Sequence, residues 1–261
     1  MHTFQSLHPV LQGLLATLFT YAVTAAGASL VFFFKKINQI LIDSMLGFSA
    51  GVMIAASFWS LLSPAEELSV QLGYSAWLVN AVGFIAGGVF VMVSDILLTK
   101  AKKFKEADNS FKRSLMLAAA VTAHNIPEGL AVGVAFGSIA AGGGATLTGA
   151  IMLAVGIGLQ NFPEGLCVSM PLYLSGKSKF KSFLYGQASG LVEPVAGVIG
   201  AAFAVTAISL LPYALSFSGG AMIAVVCAEL IPAAFEGNKL TAQIGVLSGF
   251  AVMMILDIAL G

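Results

Sequence analysis

Charge is what this chain most conspicuously lacks. Of its 261 residues only 9% are Asp, Glu, Lys or Arg, 58% are hydrophobic, and the mean hydropathy is +0.96. A soluble domain carries about 25% charged residues. So few charges cannot clothe a globule in polar surface, which excludes a water-soluble fold and leaves the lipid bilayer as solvent. The formal net charge is zero, so there is no basic excess for nucleic acid, and none is expected as a partner. Cysteine is scarce: Cys167 and Cys227 sit in apolar segments and imply packing without a disulfide framework. A cationic leader followed by a small-residue cleavage site is also missing, so the first apolar stretch reads as a span that is kept.

Long apolar runs are what the chain has in quantity. A spanning helix needs about 20 mostly apolar residues. Eight segments qualify, roughly 11–34, 41–63, 75–98, 114–137, 146–174, 182–209, 214–233 and 240–260. The expected fold is therefore all-α, a polytopic membrane protein with eight transmembrane helices in one domain over 1–261. Lys35 and Lys36 follow the first segment. Lys100, Lys102, Lys103, Lys105, Lys112 and Arg113 lie around the loop after the third, and Lys177, Lys179 and Lys181 follow the fifth. Lys239 precedes the eighth. With eight spans, all twelve basic residues fall on one side. The positive-inside rule assigns that side, including the 99–113 loop, to the cytoplasm and both termini to the outside of a cell membrane. The same loop, basic and polar, is placed to touch anionic lipid head groups.

Polar residues inside apolar segments then stand out. AHNIPEGLAVGVAF at 123–136 is followed by QNFPEGLCVSM at 160–170, and NxPEGL occurs in both. The two segments are consecutive, so they cross in opposite directions. A second pair, FSAGVMIAASFWSLLSPAEE at 48–67 and FSGGAMIAVVCAELIPAAFE at 217–236, shares nine of twenty residues. These lie in the second and seventh segments, again opposed. Inverted repeats imply a pseudo-two-fold axis in the membrane plane, the arrangement by which transporters hold substrate near the midplane and open alternately to either side.

On a helix, residues three and four apart share a face. His124, Asn125 and Glu128 form one such set, and Gln160, Asn161 and Glu164 form its copy. An acid at the bilayer centre costs about 2.5–3.5 kcal/mol on insertion scales, and two facing acids cost more unless cations neutralise them. Pro127 and Pro163 deny a donor to the carbonyls of Ala123 and Leu159 and are expected to kink both helices beside the cluster. Glu193, next to Pro194, is a third deep carboxylate and a natural additional ligand. An imidazole with carboxylates and amides and no thiolate suits Zn²⁺, Fe²⁺, Mn²⁺ or Cd²⁺ and disfavours soft Cu(I). Further intramembrane polar residues mark a route for the ion: Asp95 and Glu229 as an inner relay, and Asp257, Glu66 and Glu67 at outer helix ends. The repeat pairs Ser60 with Glu229 and Met53 with Met222. His8 reads as an interfacial side chain.

HNxPEG on the fourth segment followed by PEG on the fifth resembles the ZIP (Zrt-/Irt-like protein) family of divalent-metal transporters, and the resemblance covers nearly the whole chain. It implies zinc as transported substrate, uptake into the cytoplasm, no catalytic cofactor, and a binuclear metal site in mid-membrane. His124, Glu128, Gln160 and Glu164 would form one half, Asn125, Asn161 and Glu193 the other, with Glu128 and Glu164 as bridges. The amides at Gln160 and Asn161, where relatives have His or Asp, resemble the GufA-like branch. The family also implies a homodimer and an elevator-like motion of the first, fourth, fifth and sixth helices against the other four. Two alternatives come from the residues alone: a carrier of protons or sodium, which leaves His124 and the amides at ligand spacing unexplained, and a membrane-embedded metalloenzyme, a hydrolase using His124 and Glu128. Against the hydrolase, the zinc-protease helix HExxH needs Glu where Asn125 stands and a second His where Glu128 stands.

Overall fold

The computed structural model describes residues 2–34, 38–100, 109–140 and 146–260, with the side chains of 98–100, 109–117 and of His124 among those outside the description. Every regular element among the described residues is helical. In chain order they are α1 (His2–Gln5), α2 (Pro9–Ser29), α3 (Gln39–Ala56), α4 (Ser63–Gln71), α5 (Ala76–Lys100), α6 (Asn109–Ala140) and α7 (Leu147–Leu174). There follow α8 (Lys179–Ser189), α9 (Val192–Thr206), α10 (Leu211–Val225), α11 (Ile231–Ala234) and α12 (Lys239–Ile255). Helix starts are chosen by local chemistry. His8, Asn38, Thr146, Ser178 and Asn238 each accept a hydrogen bond at an N-terminus from a backbone N–H, which satisfies a donor that no helical carbonyl reaches. His8, expected at the interface, is thus a capping residue.

By length and composition, seven helical stretches among the described residues can cross a membrane: Pro9–Phe32, Gln39–Gln71, Ala76–Leu97, Leu147–Leu174, Lys179–Thr206, Ile208–Ala234 and Lys239–Ala259. The fourth expected segment lies on α6, 32 residues long and so about 48 Å from end to end. It begins earlier than the sequence pattern indicated, so the connection before it is shorter than 99–113; residues 101–108 of that loop lie outside the described residues. Large apolar side chains face outward, among them Ile85, Met92, Leu97, Leu247 and Ile258. The interior, by contrast, holds wholly buried Asp, Glu, Asn and Gln. Apolar outside and polar inside is the pattern of a chain solvated by lipid.

Two departures from straight helices bear on function. The stretch read as one span over 182–209 is two helices, α8 and α9, parted at Gly190 and Leu191. Pro194 in the first turn of α9 has no N–H to continue the ladder, and the Glu193 N–H bonds to Gly190 instead of continuing from α8. The second and seventh segments each switch to a π-helical turn, over Ser57–Leu62 and Val226–Leu230. Counted from Phe48 and Phe217, the two turns begin at the same position. Pro127 and Pro163, in contrast, are carried inside continuous helices.

The closest helix pairs are α3 with α12, α10 with α5, α6 with α9, and α2 with α7. Glycines make this closeness possible. A Cβ on Gly51 would strike the carbonyl oxygen of Val246, and one on Gly249 that of Phe48; likewise Gly220 meets Phe84 O and Gly87 meets Phe217 O. Small residues let backbones touch, as membrane helix pairs require where lipid supplies no hydrophobic drive. In the other pairs Gly129 lies against Glu193 O, and Gly165 against Thr24 O.

Candidate metal site

The sequence places Asn125 and Glu128 on α6, Gln160, Asn161 and Glu164 on α7, and Glu193 on α9. The fold brings these together in its interior, all of them at most 4% exposed. Gln160 donates its amide N–H to Glu128 Oε1 at 2.6 Å. Asn161 Nδ2 donates to both oxygens of Glu193, at 2.9 and 3.0 Å. Glu164 lies within electrostatic reach of Glu128 and of Glu193. His124 is on α6 one turn before Glu128, and its side chain lies outside those described.

The two NxPEG copies use their asparagines alike. Asn125 Nδ2 donates to the backbone carbonyl of Ser189 at 2.8 Å, and Asn161 Nδ2 reaches that of Thr20 at 3.4 Å. The Ser189 carbonyl is available because α8 ends there, and helix ends leave carbonyls without intrahelical partners. Each asparagine therefore ties its own helix to a neighbour and turns its amide oxygen elsewhere.

Those oxygens are the chemical signature of the cluster. Five of the seven buried side-chain polar atoms without a hydrogen-bond partner among the described residues are Asn125 Oδ1, Glu128 Oε2, Gln160 Oε1, Asn161 Oδ1 and Glu164 Oε2. All five are acceptors. An unmatched buried acceptor costs about 1–3 kcal/mol, so five in one region make it suited to a donor or a cation. No three His, Cys, Asp or Glu side chains among the described residues group closely enough to hold an ion by themselves; here acids alternate with amides.

The residues expected along a route separate into groups. Ser60 and Asp257, from the second and eighth segments, meet: Ser60 Oγ donates to Asp257 Oδ1 at 2.7 Å, and Asp257 Oδ2 is buried with no partner among the described residues. Both line a cavity of about 220 Å³ together with Trp59, Thr146 and Leu153. Glu229 lies within electrostatic reach of Asp95, both half-buried. Met53 is wholly buried one turn beyond Ser49, whose hydroxyl donates to the Gln160 carbonyl at 3.1 Å. Glu66 and Glu67 are exposed, and Glu66 borders a separate, largely apolar cleft with Phe58, Asn80 and Phe84.

Three contributors were not anticipated. Thr20 and Thr24 on α2 donate to Glu193, Thr24 at 3.4 Å, and Ser49 braces α7. The spacing of Thr17, Thr20 and Thr24 along one face of an apolar helix is the signal that could have found the first two.

Helices of spanning length, an apolar exterior and a buried cluster of acids and amides define a multi-pass α-helical membrane protein with an oxygen-rich polar centre. Comparison with known proteins gives the family. The family model described as ZIP Zinc transporter matches residues 105–257. The chain is similar to the zinc transporter ZIP11 of Homo sapiens, 39% identical, with 97% of this chain and 98% of that protein covered. It is similar also to the zinc transporter GufA of Myxococcus xanthus, 34% identical over 95% and 99%. A third relative is the zinc transporter ZupT of Streptococcus mutans, 35% identical over 89% and 91%. The chain belongs to the ZIP zinc transporter family, and its likeness to GufA supports the GufA-like branch. It is an integral, multi-pass membrane protein.

Proposed function

We propose that this protein moves divalent metal ions, chiefly zinc, across a cell membrane into the cytoplasm. The ions pass through a binuclear site made by His124, Asn125, Glu128, Gln160, Asn161, Glu164 and Glu193. The observation that carries this reading is the set of five buried oxygens on Asn125, Glu128, Gln160, Asn161 and Glu164 that have no hydrogen-bond partner among the described residues. Relatives named zinc transporters favour a transporter over the hydrolase alternative. Fe²⁺, Mn²⁺ and Cd²⁺ fit the same donors. In this reading α6 is the fourth span and brings the total to eight, both termini face outward, and α6 and α7 bend at Pro127 and Pro163.

Alternating access by an inverted repeat is supported by the packing. Exchanging first with sixth, second with seventh, third with eighth and fourth with fifth segments turns the α3–α12 pair into α10–α5, and α2–α7 into α9–α6. The π-turns at Ser57 and Val226 and the glycine contacts of Gly51 and Gly220 obey the same exchange. The four pairs also fall into two bodies, one of α2, α6, α7 and α9, on which α8 packs, and one of α3, α5, α10 and α12. This is the division that an elevator-like motion needs. Asp95 with Glu229, and Asp257 with Ser60 and Met53, would serve the ion on either side of the site.

The test is zinc influx into liposomes holding the purified protein and a zinc-sensitive dye. Glu128→Ala with Glu164→Ala should abolish influx while the protein stays monodisperse in detergent. Undiminished influx in that double variant would remove the site assignment.

A further inference from the structure

Among the described residues Glu128 and Glu164 each keep an oxygen without a partner, whereas both oxygens of Glu193 are taken. Its Oε2 accepts from Thr20 Oγ1 and, at 3.0 Å, from Asn161 Nδ2; its Oε1 accepts from the same nitrogen at 2.9 Å and from Thr24 Oγ1 at 3.4 Å. Both threonines are wholly buried. Thr24 is also hemmed in by Gly190, where an added Cβ would come within 3.1 Å of its side chain.

A hydroxyl has one proton to give, and each of these has a second acceptor within reach on its own helix. Thr20 Oγ1 lies 3.0 Å from the Thr17 carbonyl, and Thr24 Oγ1 lies 3.2 Å from that of Thr20. Threonine in a helix is stiff at its β-carbon and can back-bond to the preceding turn. Either proton can therefore turn to Glu193 or to the helix, and neither choice strands the hydroxyl. Asn161 has the same freedom, since its Nδ2 also reaches the Thr20 carbonyl at 3.4 Å.

We propose that Thr20 and Thr24 are positioning residues that hold Glu193 in reserve as a displaceable ligand. With both hydroxyls turned to it, the carboxylate is satisfied by protein. When a divalent cation arrives, the hydroxyl protons swing to the helix carbonyls and Glu193 is released to the ion; when the ion departs, the threonines recapture it. The device makes one half of the site weaker than the other, which speeds unloading. It rests on the reading of the cluster as a cation site.

Zinc influx measured against zinc concentration, in liposomes, tests it. Thr20→Val with Thr24→Val keeps the shapes and removes both hydroxyls. Without recapture the ion is held longer, so KM and maximal rate should both fall by roughly tenfold, the order expected for losing hydrogen bonds to a charged group. Thr20→Ser with Thr24→Ser should behave like the unaltered protein. Thr24→Val alone should give a smaller shift in the same direction, and serves if the double variant is not obtained folded. Unchanged kinetics, a lower rate at unchanged KM, a raised KM, or serine variants that act like valine would each overturn the proposal. Glu128→Ala with Glu164→Ala run alongside keeps the two readings apart. Influx persisting there rejects the cation site itself, whereas a silent pair beside an unaffected valine variant rejects the threonine device alone.

Discussion

Gln160 gives its amide N–H to one oxygen of Glu128 across 2.6 Å and leaves the other Glu128 oxygen and its own carbonyl oxygen without partners among the described residues. One amide thus orients an acid and adds an acceptor beside it, without adding charge. Gln160→Leu removes both contributions. Zinc affinity of the purified protein, followed by calorimetry, should weaken at least about tenfold, or ~1.4 kcal/mol, with the protein still folded.

The described donors are oxygens, with the imidazole of His124 the one nitrogen expected. Such a set accepts several borderline and hard divalent ions and is a poor host for soft monovalent copper. Added to the liposome assay, Cd²⁺ and Mn²⁺ should slow the zinc signal in proportion to their concentration, and Cu(I) should leave it unchanged.

Gly87 and Gly88 are neighbours with opposite surroundings. A Cβ on Gly87 would collide with the backbone oxygen of Phe217, and one on Gly88 would meet nothing nearer than 3.9 Å. Gly87→Ala should destabilise by about 1–3 kcal/mol through overpacking. Gly88→Ala should be neutral or stabilise by up to about 1 kcal/mol, as alanine does in place of glycine inside a helix. Thermal unfolding in detergent compares the two.

Asp43 is wholly buried at the start of α3, where it accepts from Gln39 Nε2 at 2.8 Å and from the backbone N–H of Asn238 at 2.6 Å. Gly237 leaves room for it, since a Cβ there would overlap the carboxylate. Asp43→Ala removes the acceptor of the part-buried Asn238 N–H and of the Gln39 amide, and hydrogen bonds to a charged group are each worth about 1.5–3 kcal/mol. The melting temperature should fall while the zinc affinity of the remaining folded protein is unchanged.

How much of this was legible in advance depends on what each residue does to its surroundings. Asn125, Glu128, Asn161 and Glu164 could be read because a polar side chain in an apolar run is conspicuous and the phrase occurs twice. Glu193 was visible for the same reason. Ser60 and Asp257 were each picked out, but their contact across 197 positions could not be read from spacing within one helix. Thr20 and Thr24 stayed hidden because a threonine can bond to its own helix and so sits in apolar sequence without raising an alarm. The break at Gly190 was not read because the apolar run after it carried the whole segment, although SFLYGQAS before it is mixed in polarity. The π-turns leave no mark in composition, because their cause is one extra residue per turn and not a residue type.

Asp43 also bears on how the chain comes to be assembled. The acid is made early, near the start of the second hydrophobic segment, and the backbone group that satisfies it arrives only with residue 238. Until the last hairpin is delivered, the nascent protein carries a half-satisfied acid at the place where its final helix must dock. A polypeptide that stops before Asn238 lacks the backbone N–H that binds this oxygen, so the closing of α12 on α3 and the satisfaction of Asp43 are one event.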